Sequence, residues 1–198
     1  TAARLHECIA RHDKLLRDTN RGWAKTAQAL VDVRDWAVAA AWVSDWDRRE
    51  PKEPWMLYPA ALAFRMLNRI DEAYAVSRKA LMAAADDTST PDHQVWVALE
   101  DALNGRSAEA AGLLQLIDPD DLDDLPRLFF VFAETLVSVQ RAANRSMAFS
   151  AAKKKADEAL ASYAPKEPND DLTRTYRRWV ARLTRDAGGL SAWTWGLW

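Results

Sequence analysis

The chain is 198 residues long, 49% hydrophobic and 28% charged, the composition of a globular protein with enough apolar residues for a substantial core. Its 27 Lys and Arg are matched by 29 Asp and Glu, giving net charge −2 and a pI near 5.9, so no long-range field draws it to a phosphate backbone and no nucleic-acid partner is expected. The single cysteine, Cys8, excludes an internal disulfide framework, no apolar run reaches the roughly 20 residues a membrane span needs, and the scarcity of Gly and Pro favours helix throughout.

The opening TAARLHECIARHDKLL is already in helical pattern, with Leu5, Ile9 and Leu16 on one side. It has neither an initiator Met nor the form of a signal peptide, so 2–16 is expected to be the second helix of a preceding unit in a longer protein. His6, Cys8 and His12 are neighbours in sequence, but a six-residue spacing sets the two imidazoles on different sides of a helix, and ordinary helix residues are the better reading than a metal site.

A repeated unit follows, clearest in 54–86. After Pro54, residues Leu57, Ala60, Ala61, Phe64 and Leu67 recur at the spacing of one buried helix face. Asn68 suits the left-handed residue that ends a helix, Asp71 and Glu72 suit the positive end of a new one, and Ala73 is small enough for close helix contact. Two antiparallel helices joined by a tight turn are therefore predicted, the second ending near Ala85. A shift back by 34 residues, over 20–52, places Trp23, Ala27, Leu30 and Ala39 in the positions of Leu57, Ala61, Phe64 and Ala73. A shift forward by 37, over 91–119, repeats the turn as LNGRSAEA with Gly105 where Asn68 stood, and Asp118-Pro119 closes the unit. The first helix of this third unit, with Val95, Trp96, Leu99, Ala102 and Leu103, fits the pattern after a slip of about one residue.

The remainder is helical without a clean repeat: a longer hairpin over 122–163, with helices Leu125 to Gln140 and Ser146 to Tyr163, then a helix over 170–187. In that last helix Leu172, Tyr176, Trp179 and Leu183 form one stripe, while Arg174, Arg177, Arg178 and Arg182 face elsewhere, as a capping helix requires. Gly188-Gly189 stops it. The tail 188–198, GGLSAWTWGLW, places Trp193, Trp195 and Trp198 in an apolar stretch of the kind that marks interaction; folding back or pairing with another copy of the chain is expected ahead of a membrane interface, and no membrane partner is expected.

With these residues in place, the sequence resembles the tetratricopeptide repeat family, whose 34-residue unit is a helix–turn–helix with small residues at the two close contacts and a proline at its end. The resemblance covers about half the chain. It implies an all-α, right-handed solenoid of antiparallel helical hairpins forming a single domain over 1–187, closed by a C-terminal capping helix. It also implies a protein-binding scaffold or adaptor whose first helices line a concave groove for a peptide or helix, acting without catalysis or cofactor. The family's best-known subgroup clamps a C-terminal carboxylate with Lys and Asn. The corresponding places here hold Ala24, Gln28, Pro59, Asp92 and Trp96, so chaperone-tail binding is not implied.

Within that groove the candidate partner-binding residues come from a second stripe on the helix after Pro54: Trp55, Tyr58, Leu62 and Arg65, where an amphipathic surface helix would be polar. Cover for it comes from a partner, from another domain of the parent protein, from the tail, or from packing between repeats. Lys25 and Gln28 extend the surface on one side and Trp96 on the other, and Trp, Tyr and Arg are the residue types most often found as binding anchors. An alternative is an accessory domain of a larger enzyme or transporter, docked on the rest of its own chain. Catalytic motifs are absent: there is no phosphate loop, HExxH, CxxC pair or nucleophile elbow. The run DPDDLDD, 118–124, resembles a calcium loop, but Leu122 and Asp123 stand where a ligand and a glycine are needed, and an acidic loop before a helix is expected. Lys153, Lys154 and Lys155 and the arginines of the last helix lie among acids such as Asp157 and Glu158, and they read as a solvated face in preference to a phosphate- or lipid-binding patch. The compartment is left open, with the cytoplasm favoured.

Overall fold

The computed structural model describes residues 2–50, 53–83, 90–142, 146–162 and 171–187. All regular structure among them is helical, in ten α-helices and three short 3-10 helices. The chain divides into two compact units, Thr1–His93 and Gln94–Trp198.

In the first unit, α1 (Ala2–Arg17) buries no residue and breaks its helical geometry at His12, whose φ is −124° and ψ 18°. It lies against α2 (Asn20–Asp32) across a corner closed by Thr19, whose side chain accepts from the Gly22 N–H at 3.0 Å. Only glycine fits there, because a Cβ on Gly22 would stand 2.6 Å from the Leu16 carbonyl oxygen. Then come α3 (Trp36–Trp42), a 3-10 turn at Trp46–Arg48, a second at Pro54–Leu57, α4 (Tyr58–Met66) and α5 (Ile70–Ala83). The single helix expected after Pro54 is split. Pro59 has no N–H to donate back, so the first turn tightens into a 3-10 form and the α-helix begins at Tyr58. Helix α2 packs on α3 and α4, and α4 on α5, around Trp23, Leu30, Leu57 and Phe64, all fully buried.

Charged and aromatic side chains tie α1 to this core. The Trp23 indole donates to Asp45 Oδ1 at 3.0 Å, and Arg49 grips Asp45 Oδ2 at 2.7 and 3.0 Å. Arg17 lies 3.9 Å over the Trp42 ring and donates to the Trp42 carbonyl at 3.0 Å, while Arg49 donates to the Arg17 carbonyl at 2.8 Å. Partial burial pushes the Asp45 carboxyl up. The hydrogen bonds and charge of Arg49, with the Trp23 N–H, outweigh that and hold it below its ordinary value.

The second unit contains most of α6 (Thr90–Leu103), then α7 (Ser107–Leu114), a 3-10 turn at Pro119–Asp121, α8 (Asp124–Ala142), α9 (Ser146–Ser162) and α10 (Asp171–Asp186). Helix α8 packs on α7, α9 and α10, and α10 also on α9. Aromatic rings fill the centre: Tyr176 stands 5.1 Å from Phe129 and 5.0 Å from Trp179. The stripe that α10 buries is Thr173, Tyr176, Val180 and Thr184. It is rotated from the expected one, leaving Leu172, Trp179 and Leu183 half-buried at its edge. Arg177 fits this rotation, donating twice to the Leu160 carbonyl on α9 at 2.8 and 3.0 Å.

Three hairpin turns share one geometry. Arg34, Asn68 and Gly105 have φ of 61°, 59° and 76°. After each, the next residue's N–H returns to a carbonyl five back: Asp35 to Leu30 at 3.0 Å, Arg69 to Phe64 at 2.8 Å and Arg106 to Asp101 at 2.8 Å. The left-handed residue itself bonds three back, to Val31, Arg65 and Ala102. These paired bonds satisfy the last carbonyls of the first helix and turn the chain sharply. The turns fix the alignment of the helices, and small residues then fall at matching buried places: Ala27, Ala61 and Ala98 before the turn, Ala39, Ala73 and Ala110 after it. In the third unit Ala98 keeps the place of Ala27 and Ala61, but Gln94, half-buried, stands where the others have Trp23 and Leu57, and Val95, one residue on, is the fully buried one, as the expected slip requires. A second irregularity is chemical: Asp101, fully buried, stands where the other units have Leu30 and Phe64.

Candidate protein-binding surface

The residues expected to form a groove divide into a half-open edge and a buried base. Trp55 is on the 3-10 turn and Tyr58 on the first turn of α4, both half-buried. Leu62 and Arg65, further along α4, are only 8% and 6% exposed. Arg65 is thus part of the interior.

Cover for the edge comes from the chain itself. The Lys25 ammonium, on the exposed side of α2, sits 4.7 Å from the Trp55 ring centroid, and the indole N–H donates to Glu53. Tyr58 shares a 2.6 Å hydrogen bond with His93 Nδ1, the two rings lying 4.9 Å apart at 55°. Gln28 is half-buried and donates to Asp32 at 2.7 Å. The structure therefore brings Lys25 to Trp55, and brings Tyr58 to a residue the sequence reading missed. His93 follows Tyr58 by 35 residues, about one repeat, so the period itself was the signal for it.

Trp96 belongs to the second unit. Its ring meets Phe129 at 5.4 Å and Tyr176 at 5.8 Å, both edge-to-face, which makes it a member of the aromatic core there. Trp193, Trp195 and Trp198 lie outside the described residues.

Elsewhere, groups that suggested other chemistry are engaged structurally. His6 Nε2 lies 2.8 Å from Asp35, which also caps α3 by accepting from the Val38 N–H. Cys8 is exposed. In the acidic loop, the guanidinium of Arg127 donates to the carbonyls of Pro119, Asp120 and Leu122 at 3.0 to 3.1 Å, so a side-chain cation already holds the loop together. Lys79 does the same for Trp46, Asp47 and Arg49, donating to their carbonyls at 3.2, 2.9 and 2.6 Å. Among the described residues no group of three or more His, Cys, Asp or Glu is placed to hold a metal ion, and no helix is long and apolar enough to cross a membrane.

What the edge offers is an indole face and a phenol held in fixed orientation beside a cation, a combination suited to burying a partner's side chain while keeping polar contacts at its rim. Comparison with protein-family models, with curated proteins and with solved structures returns no match.

Proposed function

We propose that the protein is a non-catalytic protein-binding module built as a right-handed solenoid of tetratricopeptide-like hairpins, and that it receives a peptide or helix along the first helices of its hairpins. The recurrence of the left-handed turn at Arg34, Asn68 and Gly105, with alanines buried at matching places, supports the repeat reading. Fold alone assigns no function. The observation that carries the functional reading is the half-open edge of Trp55 and Tyr58 beside exposed Lys25, because an indole, a phenol and a cation on the first helices are anchor types left accessible. Their orientation is set before binding by Lys25, Glu53 and His93, which lowers the ordering cost of association.

The test is affinity capture from a lysate of the source, comparing wild type with a Lys25→Glu, Trp55→Ala variant. Arg65 is unsuitable as a probe, since removing a buried guanidinium would disturb the fold. A specific partner held by wild type and weakened at least tenfold in the variant, with circular dichroism unchanged, is the expected result. A partner bound equally by both would move the site away from this edge, and the absence of any partner would end the adaptor reading.

A further inference from the structure

Helix α1 consists of two helical segments that meet where the backbone breaks at His12. They are held differently. The second, 13–17, is anchored through Arg17, which stacks on the Trp42 ring, donates to the Trp42 carbonyl and lies 3.8 Å from Asp45, while its own carbonyl accepts from Arg49. The first, 2–11, buries no residue, and Leu5 and Ile9 on its apolar side are half-buried. Among the described residues its one side-chain hydrogen bond or ion pair to anything beyond α1 is His6 Nε2 to Asp35 Oδ2, at 2.8 Å. Asp35 is itself fixed, because its other oxygen accepts from the Val38 N–H at 3.3 Å and caps α3. Of the other ionisable groups around the pair, Glu7 is bonded to Arg11, Asp32 at the end of α2 accepts from Gln28, Arg4 and Arg34 are cations, and α3 contributes none. Asp35 is therefore the carboxylate that His6 meets.

We propose that the first segment of α1 is a hinged flap, latched by protonated His6 on Asp35 and released about His12 when that imidazole loses its proton. A segment with little burial and a single tether opens at small cost, so the strength of the tether decides its position. An imidazolium holds a carboxylate more strongly than a neutral imidazole does. Latching therefore takes up a proton, and the latched state is favoured at low pH and yields as pH rises. Release frees Leu5 and Ile9 from the body of the unit, presenting an apolar helix face that the latched form withholds. The device is independent of the protein-binding edge on α4.

The test is the distance distribution between two nitroxide labels on the full chain. One is on Cys8, the only cysteine and exposed on the flap, and the other on a Met82→Cys substitution on α5, where the side chain is 78% exposed. Pulsed electron resonance reads it at about pH 5.5 and about pH 8.5, on either side of the imidazole titration. With His6 and Asp35 intact, the lower pH should give one narrow distance. At the higher pH a second, broad population should have grown about three- to fivefold, the scale of an ion pair whose side chains are 42% and 25% exposed. His6→Gln should show the broad population at both values. Asp35→Asn should do the same while α3 keeps its cap, since Asn serves there as well as Asp. His12→Gln should respond to pH as the parent does. Identical distributions at the two pH values in the parent, or a response that survives in His6→Gln, would overturn the proposal. So would a response abolished by His12→Gln, which would place the titration at the break and not at the latch.

Discussion

Asp45 accepts from an indole N–H and from an arginine whose own neighbours are backbone carbonyls and a second tryptophan-stacked arginine, so its charge holds several elements at once. Because its folded pKa lies below the ordinary value near 3.8, its stabilising contribution is fully present above that value and is lost as pH falls through the lower, folded one. Asp45→Asn keeps the shape and removes the charge. At pH 7 the variant should be less stable by about 1–2 kcal/mol, a figure suited to a charged hydrogen bond that is not fully shielded from water. Urea unfolding followed from pH 7 down to pH 2 should show the gap between wild type and variant constant at first and closing below about pH 4, as the wild-type carboxyl takes up its proton. A gap that persists unchanged to pH 2 would mean that the stabilisation comes from shape and not from charge.

At the scale of the element, the three turns form a natural substitution series, since one backbone geometry is served by Arg, Asn and Gly. A side chain in the left-handed region costs about 1–2 kcal/mol, less for Asn, whose short amide tolerates it. Arg34→Gly should therefore stabilise the protein by about 0.5–1 kcal/mol, Asn68→Gly by a few tenths, and Gly105→Ala should destabilise it by about 1 kcal/mol, all read from thermal unfolding. Equal effects at the three sites would indicate that the turn geometry is not what the residues share. The same series explains what sequence could convey. Asn68 and Gly105 were legible because their chemistry advertises a left-handed residue. Arg34 was not, because arginine gives no such signal and only its distance of 34 from Asn68 points to it. On α10, size misled: the large Leu172, Trp179 and Leu183 mark an apolar stripe in sequence, yet the helix buries the smaller Thr173, Val180 and Thr184 against α8 and α9. Helical periodicity names a face to within a residue or so, and packing against two neighbours at once decides the rest. The candidate site divides in the same way. Trp55 and Tyr58 stood out by type, whereas the burial of Arg65 and the pairing of Tyr58 with His93 depend on residues distant in sequence.

For the whole molecule, the boundary between the two compact units falls between His93 and Gln94, inside α6, so the chain passes from one to the other through hydrogen-bonded helix and not through a loop. A turn of helix that belongs to both units gives their unfolding a shared element: when either end opens, backbone bonds of the other are frayed. Wild type should accordingly unfold in urea in one transition, with far-UV circular dichroism and tryptophan fluorescence coincident. Gln94→Pro removes the bond from residue 94 back to the Thr90 carbonyl and sets the proline ring against that carbonyl, at a cost of about 3 kcal/mol. If α6 is the coupling element, the variant loses more than stability. With the five tryptophans after Gln94 replaced by phenylalanine in both proteins, the two probes should separate, because buried Trp23 and Trp42 then report on the first unit while the circular dichroism signal sums both. Coincident transitions in a merely weakened variant would show that continuity of α6 is not what makes the units cooperative, and separate transitions in wild type would show that they fold as independent bodies despite sharing a helix.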